Sequence, residues 1–100
     1  MIILGLDPGY GTTGYGLVKY EDNRFTPIQY GAITTPAGQP LYHRLCEIYE
    51  DVCTLVDTFH PEAVAVEGLF FNTNITTGIQ GAHASGGILL TLAQKGLNPV

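Results

Sequence analysis

One hundred residues with 45% hydrophobic and 13% charged side chains, nine acids against four bases, describe at most one domain, able to bury a core without disulfide or metal staples. A disordered chain is excluded, and so is a membrane-spanning helix, since no apolar run reaches about 18 residues. The start, Met1 to Asp7, has no basic segment and meets an acid too early for a signal peptide, so a soluble cytoplasmic protein is expected.

Ile2 to Leu6 is almost wholly apolar and is followed by Asp7-Pro8-Gly9, which reads as a buried central strand ending in a turn. A second strand is expected over Gly14 to Tyr20, turn chemistry at Glu21-Asp22-Asn23, and a third strand from Arg24 to Thr35. These form an antiparallel meander. Pro27 donates no ladder hydrogen bond, which puts the third strand at the sheet edge.

From Leu41 the period becomes helical: Leu41, Leu45, Ile48, Tyr49, Val52, Leu55, Val56 and Phe59 fall on one face. His43, Arg44, Glu47, Glu50, Asp51 and Asp57 fall on the other, a solvated one. Pro40 suits the first turn and His60-Pro61 stops the helix. Cys46 and Cys53 lie about 10.5 Å apart along its axis, too far to pair, and are expected as free thiols. Ala63 to Glu67 reads as a fourth strand, and Asn74 to about Gln94 as a second helix weakened by Gly78, Gly81, Gly86 and Gly87. Gly78, Ala82, Gly86 and Leu90 share a face on which another helix or the sheet can pack closely.

The element order gives an α/β fold in which a right-handed crossover sets the fourth strand parallel to, and beside, the first. Asp7 and Glu67, each closing its strand, then meet at one sheet edge, where ligands bind in open α/β sheets. Two facing carboxylates repel unless a cation lies between them, and Mg²⁺ takes oxygen ligands while keeping waters for a phosphate to replace. The alternative is that Asp7 forms the turn before Pro8-Gly9 and Glu67 caps the next helix. The loop from Asp7 to Gly14, with Gly9, Gly11 and Thr12, offers amides to a phosphate or merely supplies positive φ to a hairpin. It is neither a Walker nor a Rossmann loop, since a strand follows and no lysine is in place. Phe70, Phe71, Asn72 and Asn74 come next to Glu67. Such aromatics stack on unpaired bases and such amides hold phosphate oxygens, unless one ring enters the core and an asparagine caps the helix. His43, His60 and His83 lack ligand spacing.

Ile3-Leu4-Gly5-Leu6-Asp7-Pro8-Gly9, Thr13-Gly14-Tyr15-Gly16, Pro61-Glu62-Ala63-Val64-Ala65-Val66-Glu67 and Phe70-Phe71-Asn72-Thr73-Asn74 together resemble the RuvC type of Holliday-junction resolvase, over nearly the whole chain. The resemblance implies an RNase H-like mixed sheet, a homodimer, branch-migration helicase partners, and Mg²⁺-dependent nicking of four-way DNA junctions, with Mn²⁺ able to substitute. It makes Asp7 and Glu67 the first two metal-binding carboxylates and sets Phe70 or Phe71 against junction bases. It also implies two further carboxylates and a set of basic residues near the C-terminus. Between Gly68 and Val100 no side chain is acidic and the only lysine or arginine is Lys95, so residues 1–100 are expected to be a single domain without its C-terminal segment. Little nuclease activity and weak DNA binding are expected of these residues alone.

Two other readings compete. A nucleotide-binding fragment of the sugar-kinase, actin and Hsp70 superfamily shares the acid-glycine-threonine loop but needs a second domain. A non-catalytic interaction module would use the face at Gly78, Ala82 and Gly86.

Overall fold

The computed structural model describes residues 1–9, 11–67 and 75–99, with side chains for all of these except 75–81. Its elements are β1 (Ile2–Asp7), β2 (Thr12–Glu21), β3 (Arg24–Thr34), α1 (Leu41–Phe59), β4 (Ala63–Val66) and α2 (Ile75–Gln94). The sheet order is β3-β2-β1-β4. Strand β1 pairs antiparallel with β2 and parallel with β4, so the expected crossover neighbour is in place and the Pro27 strand lies at an edge. Asp22 and Asn23 both take positive φ, 53° and 60°, the two-residue turn whose twist suits a hairpin.

Helix α1 ends where expected. His60 adopts a left-handed conformation and its N–H donates to the Val56 carbonyl at 2.9 Å, after which Pro61 prevents continuation. Both cysteines are free. Leu41 and Tyr49, placed by period on the buried face, are 37% and 47% exposed, because the contact stripe narrows to Ile48, Val52, Leu55 and Val56.

The two faces of the sheet differ. Leu4, Leu6, Leu17, Ile33 and Val64 point to one side and form the core with α1 and with Ala84, Ile88 and Leu92 of α2. The opposite face presents Ile3, Gly5 and Asp7 from β1, Gly14 and Gly16 from β2, and Ala63 and Ala65 from β4, as strand alternation and the pairing register require. No element among the described residues packs on this second face.

Helix α2 departs from expectation. Its close approach to α1 is at Gly87, where a Cβ would lie 3.5 Å from Leu45, and its buried residues are Ala84, Ser85, Ile88, Thr91 and Leu92. Ala82, Gly86 and Leu90 face solvent instead, Leu90 at 60% exposure, and the side of Gly78 lies outside the described residues. Ile88 and Leu92 set the helix phase, since each buries far more apolar surface than glycine or alanine offers.

Candidate active site

Strand β1 carries Asp7 to the sheet edge because Leu4 and Leu6 are locked into the core on the alternate face. In β4, Val64 does the same for Glu67. The parallel register aligns Leu6 with Val66, and the Glu67 N–H donates to the Leu6 carbonyl at 2.9 Å, so Asp7 and Glu67 fall side by side on strands about 4.8 Å apart. Both are exposed and both lie on the uncovered face. Neither ion pair between described residues, Lys19–Glu21 or Lys95–Asp57, involves them.

Asp7 is opposite Gly14 across the antiparallel ladder, where a Cβ would stand 3.7 Å from the Asp7 Cβ. With Gly5, Gly16 and Ala65 this leaves an open hollow of about 460 Å³ beside the two acids. Sequence reasoning did not single out Gly5, Gly16 and Ala65; the signal was there, as glycine or alanine at alternate positions of three neighbouring strands. Gly14, expected to open the second strand, lies inside it, because β2 begins two residues earlier at Thr12 and its ladder reaches Asp7.

The connection is thus shorter than expected, and among its glycines only Gly11 takes positive φ, 78°. The Gly11 carbonyl accepts from the Thr35 N–H at 3.0 Å and its hydroxyl at 3.4 Å, which fastens the loop to the end of β3. Gly9 is half-buried, and Thr12 is exposed at the start of β2. Phe70, Phe71, Asn72 and Asn74 lie outside the described residues. His43, His60 and His83 are exposed. No group of three or more His, Cys, Asp or Glu side chains gathers among the described residues, so the acid pair stands without a third ligand there. Two adjacent carboxylates opening on a hollow fit a hard divalent cation, which takes one or two carboxylates plus substrate phosphate oxygens.

A β3-β2-β1-β4 mixed sheet with its helices on one face and acids closing the parallel β1–β4 pair defines an RNase H-like α/β protein. The family model described as "Crossover junction endodeoxyribonuclease RuvC" matches residues 3–100, and the chain belongs to that family. It is 44% identical over 98 residues to a protein of that name from Ruminiclostridium cellulolyticum and 50% identical over 93 residues to one from Alkaliphilus metalliredigens. These alignments cover 98% and 93% of the chain but 59% and 57% of those relatives, so the chain spans somewhat over half their length. Among solved structures, T. thermophilus RuvC in complex with Holliday junction substrate superposes with a TM-score of 0.88 at 26% identity, covering 99% of this chain and 62% of that one. The nucleotide-binding reading gives way to this membership. No described helix is long and apolar enough to cross a membrane.

Proposed function

We propose that the complete protein is an endonuclease that nicks four-way DNA junctions symmetrically by metal-dependent phosphodiester hydrolysis, in recombination and repair. Family membership supports this, and the observation that carries it is the side-by-side placement of Asp7 and Glu67 on the open sheet face. Bound Mg²⁺, or Mn²⁺ in its place, supplies water activation and neutralises charge on the leaving oxygen. Asp7 and Glu67 hold the cation, and the Gly5, Gly14 and Gly16 backbone leaves room for a sugar-phosphate to approach them. The loop amide of Gly9 and the hydroxyl of Thr12 contact a phosphate; Phe70 or Phe71 stacks on an unpaired base, and Asn72 and Asn74 hold backbone oxygens.

Residues 1–100 form the larger part of one domain, and the length that relatives carry beyond it presents two further carboxylates over the glycine-alanine face. The protein works in the cytoplasm as a homodimer, with branch-migration helicases as partners. The outward stripe of α2, Ala82, Gly86, Leu89, Leu90 and Ala93, is the contact between protomers. The test is cleavage of a synthetic four-way junction by the complete protein in Mg²⁺, beside a linear duplex and the Asp7→Asn and Glu67→Gln variants. Junction-selective nicking lost in both variants, with junction binding retained, is expected; nicking at wild-type rates in either variant removes that carboxylate from the site.

A further inference from the structure

Among the described residues strand β3 has one neighbour, β2. It runs eleven residues along the sheet edge, and every residue of it except Ile33 is exposed, with Phe25 at 66%, Ile28 at 41% and Tyr30 at 85%. Natural edges are blunted by proline, charge or bulges. Here those devices protect one half: Arg24, Pro27 and the register shift opposite Leu17 and Val18. The other half, Ile28-Gln29-Tyr30-Gly31-Ala32-Ile33-Thr34, has no charge and no proline, so its outer row of backbone groups is free to pair with an added strand.

Beside this half, between β3 and α1, runs a groove of about 380 Å³. Tyr15, whose hydroxyl accepts from the Gln29 amide at 2.8 Å, lines it with Ile33, Asp51, Thr54 and Thr58. Asp51 is exposed and belongs to neither ion pair between described residues. Helix α1 carries four of the chain's nine acids, Glu47, Glu50, Asp51 and Asp57, and only Asp57 has a lysine on it. This side is opposite the face that bears Asp7 and Glu67, and its charge repels phosphate. A second copy paired through β3 would bring two acidic α1 faces together.

We propose that the Ile28–Thr34 edge and its groove are a docking surface for an extended, basic segment of a partner protein. The segment adds to the sheet beside β3 and sets a lysine or arginine in the groove against Asp51. The inference stands apart from the junction-cleaving reading, because its residues are not those of that site.

The experiment titrates the complete protein against a fluorescent peptide of about nine residues alternating valine and lysine, an edge strand's length. Three comparisons accompany it: the peptide with glutamate for lysine, the peptide N-methylated at alternate amides, and the Asp51→Lys protein. Saturable binding weakened about tenfold or more in each comparison, with junction cleavage by Asp51→Lys unchanged, is the expected result. Equal binding of the N-methylated peptide rules out strand addition, and equal binding by Asp51→Lys rules out the groove. No saturable binding overturns the proposal. So does slow exchange of those amides of 28–34 that point away from β2 in the protein without peptide, which would mean that its own chain or a second copy already covers the edge.

Discussion

Gly9 is where the loop leading out of the candidate site is tightest. A Cβ there would lie 2.5 Å from the Thr12 carbonyl oxygen, about 0.9 Å inside ordinary contact at 3.4 Å. The obstacle is backbone, and Thr12 is tied into the ladder opposite Thr34, so no side-chain rotation relieves it. Outward movement is also resisted. Gly11 is bonded to Thr35, and Gly9 and Gly11 together line a small recess against Leu41, Arg44, Leu45 and Ile48. Gly9→Ala therefore shifts the Gly9 backbone by most of an ångström, at a cost of about 1–3 kcal/mol. In a protein of about 150–250 residues each kcal/mol lowers Tm by about 2–4 °C, which thermal denaturation resolves. Asp7 lies two residues upstream, and a catalytic group misplaced by about 1 Å loses about a hundredfold in rate. Junction cleavage by the complete protein, assayed well below Tm, should fall by more than lost stability explains. Gly11→Ala is the control: no atom lies within 4 Å of its Cβ, so it bears only the backbone cost of φ 78°, about 1 kcal/mol, with cleavage retained. Wild-type Tm and cleavage in Gly9→Ala would refute the reasoning.

Among the described residues two hydroxyls are buried without a hydrogen-bond partner, Thr13 Oγ1 and Ser85 Oγ, in residues 1% and 0% exposed. Removing an unsatisfied buried polar group recovers its desolvation cost, so Thr13→Val and Ser85→Ala should each raise unfolding free energy by about 1 kcal/mol in urea titrations; a loss of that size in either would show its hydroxyl to be bonded. The hydrogen bond from Lys95 to Asp57 holds the lysine pKa above its ordinary 10.5, and the Cys53 hydrogen bond raises Tyr49 above 10.0. In both, the folded state keeps its proton longer than the unfolded chain, so their stabilisation is complete below about pH 10 and is lost as pH rises through the folded values. Lys95→Met should flatten part of that alkaline fall in denaturation midpoints measured against pH, and an unchanged fall would remove Lys95 as a cause.

Much of the fold was legible because single elements had no alternative. Helix α1 follows from its period and from Pro40 and His60-Pro61 at its ends, and the adjacency of Asp7 and Glu67 follows from the handedness of one crossover. The start of β2 was not legible, because Gly9, Gly11 and Gly14 look alike in sequence: one avoids Thr12, one supplies positive φ, and one makes room beside Asp7. The inward side of α2 was hidden for a related reason. Small residues surround that helix, and only the burial of Ile88 and Leu92 against α1 and the sheet selects Gly87 rather than Gly86 as the contact. The groove at Asp51 depends on how α1 lies over β3, which no local pattern encodes.

Gly16 tests what the small-residue face is for. On the residues described, a Cβ at Gly16 meets nothing within 4 Å, and valine is the better strand former by up to about 1 kcal/mol. If the face were bare in the complete protein, Gly16→Val would be neutral or stabilising. Glycine and alanine at Gly5, Gly14, Gly16, Ala63 and Ala65 contribute little cross-strand packing, a poor use of three neighbouring strands unless something approaches the backbone closely. The proposed reading supplies that approach twice, as the substrate backbone beside Asp7 and as the further carboxylate-bearing segment. Gly16→Val in the complete protein should then cost about 1–3 kcal/mol by overpacking and slow junction cleavage. Unfolding in urea and single-turnover nicking read the two effects separately. A loss of cleavage without loss of stability assigns the space to DNA, a loss of both assigns it to the protein's own segment, and a loss of neither means that the hollow is no part of the site.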